Sequence, residues 1–514
     1  MKSSKSKEKD NWRKIMKGKR ACVVVNPHAG QNVTQIADLI AVLSAAGWST
    51  EIVIKEYGGH SMELAAQAAK ANYDLVIGYG GDGTLNQVLN GVMSTRKHSS
   101  IIGVIPGGTT NVWAAEIGVP DDPVHAALTL VNSEAREIDI GRIEVQGLSF
   151  PGTSQDDHEQ GRKKKGEQKH KKETRGPSGA KHHFMLMAGL GFDAAIMEHV
   201  SKSLKYRVGK LAVGLSVVEE LPKQHPFPIE ICVSGMKYEE EKIWKGEAFQ
   251  VIVGNTRRYA NLVEMTPEAY LDSGLLDVCV ITAGNTKRTI EEIASLVFRR
   301  RPDNRTNEYF RGASITISVP ASIDMQLDGS TVSLNDYLSK SDREALKSVG
   351  NAEQVMVTYR FDAMPHTVQV AIPSTYDGAL FEKRTSKEKS QVTLHEQKEV
   401  GAAQQNHGQV EGVQHESREL IATLLDNGHQ VTVRGVASQP QKQHTYIIAG
   451  TVPHRMTGDS TPVALCVDES VTILRHSGEH VSPLLIEELK EGAVIIAEGK
   501  KSKYGVIRAT QVVI

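Results

Sequence analysis

The sequence predicts an α/β domain on a Rossmann-like parallel sheet, then a mainly antiparallel β domain, then a small C-terminal β-barrel. Three patterns predict this. Up to about residue 136, short apolar runs alternate with segments of helical spacing. From 137 to 373, β-branched residues alternate or cluster in short runs. In the last ninety or so residues, several short strands are separated by glycine turns.

Taken in order, residues 2–20 carry nine Lys or Arg against Glu8 and Asp10, so 1–19 reads as a solvated basic arm. Residues 21–25 (ACVVV) are continuously apolar, as a strand covered on both faces would be. A turn follows at Asn26, Pro27, His28, Ala29 and Gly30. Thr34 is placed to cap a helix with Ile36, Leu39, Ile40 and Leu43 on one face, which Gly47 stops. The next strand is 52–54 and the next helix 62–71. Strands at 75–77 and 101–105 each run into a glycine-rich turn and then a helix. Runs at 230–233, 249–253, 276–281, 315–319, 354–359 and 367–372 read as strands of the second domain. Helical stretches are expected at 193–203 and 289–298. The C-terminal strands are expected at 430–436, 445–452, 463–467, 471–474, 493–497 and 504–514, with a helix at 483–490; the barrel is expected to be OB-like.

Residues 152–182 interrupt the second domain with a polar run, and 162–181 hold nine Lys or Arg against Glu167 and Glu173. Such a run buries too little apolar surface to order itself. Residues 383–418 have a linker composition. The expected units are therefore an arm (1–19), a nucleotide-binding domain (20–136), a β domain (137–380) with its insertion, a linker, and the barrel (419–514).

The chain has 60 Lys or Arg against 61 Asp or Glu, so its net charge of −1 excludes a nucleic-acid binder by bulk electrostatics. Its four cysteines, Cys22, Cys232, Cys279 and Cys466, have no metal or redox spacing and read as buried thiols of a reducing compartment. The basic N-terminus lacks an apolar signal core, and no window approaches 18 apolar residues. The chain is expected in the cytoplasm without a membrane span. His182-His183 lacks partners at metal spacing. Arg299, Arg300 and Arg301 end an apolar-faced helix that reads either as core packing or as a bilayer-surface element.

The functional signal lies in three turns at the carboxyl ends of neighbouring strands: 26–30, 80–86 (Gly-Gly-Asp-Gly-Thr-Leu-Asn) and 106–111 (Pro-Gly-Gly-Thr-Thr-Asn). Ligands of open α/β sheets bind there, and glycine turns that open helices aim backbone N–H groups at phosphate. Gly80, Gly81 and Gly83 allow close approach, while Thr84 and Asn86 add neutral donors. Asp82 would repel phosphate unless a cation or proton is shared, which a magnesium–nucleotide complex provides.

These motifs, with Asn26-Pro-x-x-Gly30, the 267–277 segment, Gln326-Leu-Asp-Gly329 and Val370-Ala-Ile-Pro-Ser-Thr-Tyr376, resemble the diacylglycerol kinase catalytic domain family, in the branch of bacterial lipid kinases and sphingosine kinases. The resemblance covers about residues 20–380. It implies a phosphofructokinase/NAD kinase-like α/β domain, a β-sandwich domain, and transfer of phosphate from ATP, with Mg2+, to the hydroxyl of a membrane lipid. It carries nucleotide contacts to Asn26, Pro27, His28, Ala29, Gly30, Gly81, Asp82, Gly83, Thr84, Leu85, Asn86 and Thr109. The general base becomes Asp328, with Asp82 as magnesium ligand and runner-up base. The lipid would be met at the membrane surface, with peripheral attachment at the inner face; a dimer is compatible, and oligomeric state stays open. Departures are Val112 and Ser330, where the family often carries Asp and Glu, Ser273 in a structural magnesium motif, and Lys55 in place of a threonine that contacts ATP. Two alternatives remain: a soluble-substrate kinase of the NAD kinase or phosphofructokinase type, and a catalytically weak lipid- or nucleotide-binding regulator.

Overall fold

Strand β1 (Arg20–Val25) lies at the centre of a parallel sheet, and every residue after Arg20 is buried. The computed structural model describes residues 19–28, 36–95, 99–151, 181–191, 225–235, 241–261, 263–282, 307–382, 428–438, 445–453, 460–477 and 480–514. Helix α1 (Ile36–Ala45) ends before Gly47, whose φ of 90° suits only glycine without strain. Then come β2 (Ser49–Ile54), α2 (His60–Lys70), β3 (Leu75–Gly80), α3 (Asp82–Met93), β4 (Ile101–Pro106), α4 (Val112–Glu116) and α5 (Pro123–Val131). β1 pairs in parallel with β2 and β3, and β3 with β4, giving the order β2-β1-β3-β4. The chain steps to opposite sides of β1, so the crevice beyond the carboxyl ends of β1 and β3 is the topological switch point. Helices α2, α3 and α4 cover one face through Ala65, Leu89 and Trp113, and α1 and α5 the other through Leu39 and Leu128.

Two long strands join this sheet to the next domain: β5 (Ser133–Ser149) and a late strand, Met356–Pro373, antiparallel to it. Between them lie β6 (His183–Phe184), β7 (Met187–Gly191), β8 (Phe227–Ser234), β9 (Lys242–Gly254), β10 (Arg258–Tyr259), β11 (Val263–Glu264), β12 (Leu276–Thr282), β13 (Asn307–Gly312), β14 (Ser314–Pro320), β15 (Met325–Leu327), β16 (Ser330–Val332) and α6 (Lys340–Val349). The late strand is β17. Its far end runs parallel to β4, and its first half pairs with β14. Around the β domain, β5-β17-β14-β8-β9 continues into β9-β7-β15-β16 and β9-β12-β13. These strands close on a shared core that includes Ile231, Val251, Ile317, Tyr359 and Phe361, a β-sandwich.

Several expectations change. The two runs at 354–359 and 367–372 fall in one strand, with register shifts at Thr358/Tyr359 and between Met364 and Val368, where His366 has φ 47°. Helix α6 was not read from the sequence; it buries no residue, so it carries little apolar signal. The expected helix at 483–490 is a single 3-10 turn, Ile486–Glu488. Leu484 and Ile486 are buried while Leu485 is 68% exposed, an alternation that suits extended chain. The arm up to residue 18, the Thr34 cap, the insertion at 152–180, the stretches 193–203 and 289–298, Arg299–Arg301 by position, and the linker lie outside the described residues.

The C-terminal unit comprises β18 (His429–Ser438), β19 (Tyr446–Pro453), β20 (Ser460–Val467), β21 (Thr472–Ser477), β22 (His480–Pro483), β23 (Val494–Lys501) and β24 (Val506–Val513). β20-β19-β18-β23-β24 closes through a parallel β20–β24 pairing, making a five-stranded barrel with β21 and β22 as an appended hairpin. Its interior is filled by Val431, Ile448, Leu465, Ile495 and Val512.

Candidate active site

The three turns meet at the switch point through their backbones. Asn26 N–H donates to the Tyr79 carbonyl at 3.0 Å, and Gly107 N–H to the Gly80 carbonyl at 3.0 Å. A Cβ on Gly108 would lie 2.5 Å from Gly81 Cα, so the second and third turns touch at a distance only glycine permits. A Cβ on Gly80 would likewise meet Thr84 Oγ1 at 2.5 Å. That hydroxyl accepts from Asn26 Nδ2 at 3.1 Å and ties the first turn to the second. No side chain caps the start of α3, so its first N–H groups are left to the crevice, as at an anion site. Thr109 is half-buried on the third turn.

Asp82 does not stand alone in the crevice. Its Oδ2 accepts from Val112 N–H at 2.9 Å and Thr110 Oγ1 at 3.3 Å, and its Oδ1 from Trp113 N–H at 3.1 Å. These are the first N–H groups of α4, so the carboxylate caps that helix from another element. Burial pushes its pKa up, against the lowering effect of those hydrogen bonds. Asn111, at φ 45°, shapes the third turn. It accepts from Gly108 N–H at 2.9 Å and donates to the Gly108 carbonyl at 3.0 Å and Asp121 Oδ1 at 3.1 Å.

Asp328 enters from the β-sandwich. Leu327 pairs with Ser330, so Asp328-Gly329 is a two-residue hairpin turn, with φ of 46° and 74°. Positive φ at both centres is the type I′ pattern that Asp-Gly favours. The side chain folds back into a cradle of three successive N–H groups: Met185 at 2.9 Å, Leu186 at 2.9 Å and Met187 at 3.0 Å. Asn86 Nδ2 adds a fourth bond at 2.8 Å. Burial raises the carboxyl's pKa, and the four bonds oppose that shift.

Asn86 therefore serves the domain junction. Its amide also donates to the His183 carbonyl at 2.9 Å, as does Asn90 Nδ2 one turn later. Asn90 Oδ1 accepts from the N–H groups of His182 and His183. Leu85 points into the core beneath the turn. Ser330 faces the start of α3, where a Cβ on Gly83 would come within 2.7 Å of its hydroxyl.

Comparison with known proteins now decides the kinship. Residues 20–143 match the diacylglycerol kinase catalytic domain, and residues 187–346 the YegS C-terminal NAD kinase β-sandwich-like domain. Diacylglycerol kinase of Bacillus subtilis is 27% identical over 315 residues, covering 60% of this chain and 89% of its own. That of Staphylococcus saprophyticus is 26% identical over 312 residues, covering 60% and 88%. Residues 20–143 thus carry a match to the diacylglycerol kinase catalytic domain, with a matching β-sandwich domain behind it. The chain is a kinase of lipid metabolism that phosphorylates an alcohol group. A crystal structure from Bacillus anthracis, described as a diacylglycerol kinase, shares the fold with a TM-score of 0.50 at 18% identity, covering 70% of this chain and 96% of that one.

For this diacylglycerol kinase relative, the structure relocates several sequence candidates. Asn26, Thr84, Gly81, Gly83 and Thr109 lie at the switch point. Ala29 and Gly30 lie outside the described residues, and Pro27 and His28 lead out of β1. Val112, a position of family departure, is buried in the core beneath α4 and contributes its N–H to Asp82. Asp272 accepts from Glu382 N–H at 2.8 Å. Among the described residues, no cluster of three or more His, Cys, Asp or Glu forms a metal cage.

Lys181 was missed, because it closes a lysine-rich run that reads as solvated. It is instead partly buried, within electrostatic reach of Asp328 and of Lys55. Burial lowers its pKa to about 8, with Asp328 opposing that shift and Lys55 reinforcing it. Lys55 stands where the resemblance expects a neutral threonine, and Lys181 lies within electrostatic reach of it.

Proposed function

We propose that this kinase transfers the γ-phosphoryl group of ATP, with magnesium, to the hydroxyl of a membrane lipid of the diacylglycerol or sphingoid-base kind. One observation carries the reading: Asn86, on the helix that opens from the glycine turn, is hydrogen-bonded directly to Asp328 from the other domain. That bond sets the proposed base beside the proposed phosphate site.

The glycine turns and the start of α3 hold the phosphates through backbone N–H groups. A carboxylate offers about four acceptor positions. Asp328 uses all four, so accepting the lipid proton requires exchanging one bond, and the Asn86 amide, the one side-chain donor of the four, would have to yield along with its bond to the His183 carbonyl. Its raised pKa brings the base nearer the range in which proton acceptance at neutral pH is efficient.

Magnesium commonly keeps several waters and is held by substrate phosphates plus one or two carboxylates. Asp82 already accepts from Val112, Trp113 and Thr110, so the residues fit an ion that would arrive on the nucleotide rather than one caged by protein. Bound there, magnesium neutralises phosphate charge. Positioning and charge then supply the catalysis, with no covalent intermediate on the protein.

A weak or non-catalytic regulator is the second reading, favoured by the fully satisfied Asp328 carboxylate and by Val112 and Ser330. Incubation with radiolabelled ATP, magnesium and micelles holding either diacylglycerol or a sphingoid base separates the two. Label in one lipid identifies the acceptor. A blank with both, alongside measurable nucleotide binding, supports the regulator.

A further inference from the structure

We propose that the C-terminal barrel works as part of the kinase: through Arg434 it holds the third, nucleotide-facing glycine turn in place, and releasing it weakens nucleotide binding. This rests on the nucleotide reading of that turn. Neither family match reaches residues 428–514.

The barrel is seated on the α/β domain. α1 crosses β19, β20 and β24, and α5 crosses β18 and β19. Ile447, Ala449, Ala464 and Val506 join the same apolar cluster as Leu39 and Leu128. The fit is close. A Cβ on Gly435 would stand 2.8 Å from Leu128 Cδ1, and one on Gly505 3.6 Å from Ala41 Cβ. In OB-type barrels this central face receives ligands; here the kinase helices occupy it.

Arg434 connects the seam to the site. Its Nη1 lies 3.4 Å from Asp38 Oδ1, in the first turn of α1, the helix that follows the Asn26 turn. Its Nη2 lies 3.8 Å from Asp122 Oδ2, the N-cap of α5. The neighbouring Asp121 receives the Asn111 amide, and Asn111 in turn brackets Gly108 from both sides. One guanidinium therefore bridges the starts of two helices, and the residue just before the second of them is bonded to the third turn. His125 and Glu491 add the remaining charges at this corner. Planar two-point contact is a guanidinium property that lysine reproduces only in part.

The test compares full-length wild type with Arg434→Glu, Arg434→Lys and Gly435→Leu. A fluorescent ATP analogue reports nucleotide binding, steady-state kinetics separate KM from kcat, and small-angle X-ray scattering reports barrel docking. Arg434→Glu is expected to weaken nucleotide binding and raise KM for ATP about threefold to thirtyfold, the usual range of coupling through such contacts. kcat at saturating nucleotide should stay near wild type. Arg434→Lys should recover part of the loss. Gly435→Leu, which keeps every charge but wedges the seam, should reproduce the weakened binding. Undocked variants that bind nucleotide like wild type overturn the proposal, as does a fall in kcat with KM unchanged. A wild-type chain that binds no nucleotide overturns the site reading beneath it instead.

Discussion

Asp328→Asn probes the cradle and the chemistry together. The carboxylate now takes four bonds, from Met185, Leu186, Met187 and Asn86. An asparagine carbonyl can keep two of these donors, and its own NH2 then faces the other two. Each orphaned buried donor costs about 1–3 kcal/mol. The raised pKa of Asp328 shows that its charged form is disfavoured by burial, so a neutral amide recovers part of that loss. A net destabilisation of about 1–3 kcal/mol is expected. Urea unfolding followed by tryptophan fluorescence measures it as a lowered midpoint, while activity falls about 100-fold or more as the base is lost. An unchanged midpoint would refute the cradle. A lowered midpoint with undiminished turnover of the folded fraction would refute the base.

Gly108→Ala should abolish nucleotide binding with little loss of fold, because its Cβ would press on Gly81 at 2.5 Å; equilibrium binding and circular dichroism check both halves. Asp82→Ala leaves the Val112 and Trp113 N–H groups without their acceptor and should destabilise by about 1–3 kcal/mol. If Asp82 also touches the nucleotide's magnesium, Asp82→Asn will raise the magnesium concentration needed for half-maximal activity. Lys181, with a pKa near 8, is charged below that pH and neutral above it. KM for ATP should therefore rise between pH 7 and 9, and Lys181→Arg should flatten that rise. The linkage to stability runs oppositely: a depressed lysine pKa means the folded state prefers the neutral form, so this strain is present below about pH 8 and fades as pH rises toward 10.5.

What the sequence made legible follows from range. The Asp328-Gly329 turn, the glycine contacts and the parallel order of β1 to β4 rest on short-range rules of φ, spacing and apolar runs, so they could be read in advance. The deciding partners of Asp82 and Asn86 could not, because those bonds cross from one element to another 28 or more positions away: Asp82 to Thr110 and Val112, Asn86 to Asp328. A carboxylate between glycines reads the same whether it meets an ion or caps a distant helix. Lys181 was hidden by its neighbours' composition, and α6 by having no buried face. The barrel's strands were visible, but its seat on α1 and α5 depends on small residues such as Gly435 and Ala464, which signal nothing until they meet a helix.

The most direct measurement is transfer of the terminal phosphate of radiolabelled ATP to a lipid alcohol in mixed micelles with magnesium, comparing wild type with folded Asp328→Asn. Label on the lipid with wild type, reduced about 100-fold or more in the variant, is the predicted result. Equal labelling by both proteins, or none by wild type across diacylglycerol and sphingoid acceptors, would contradict the assignment.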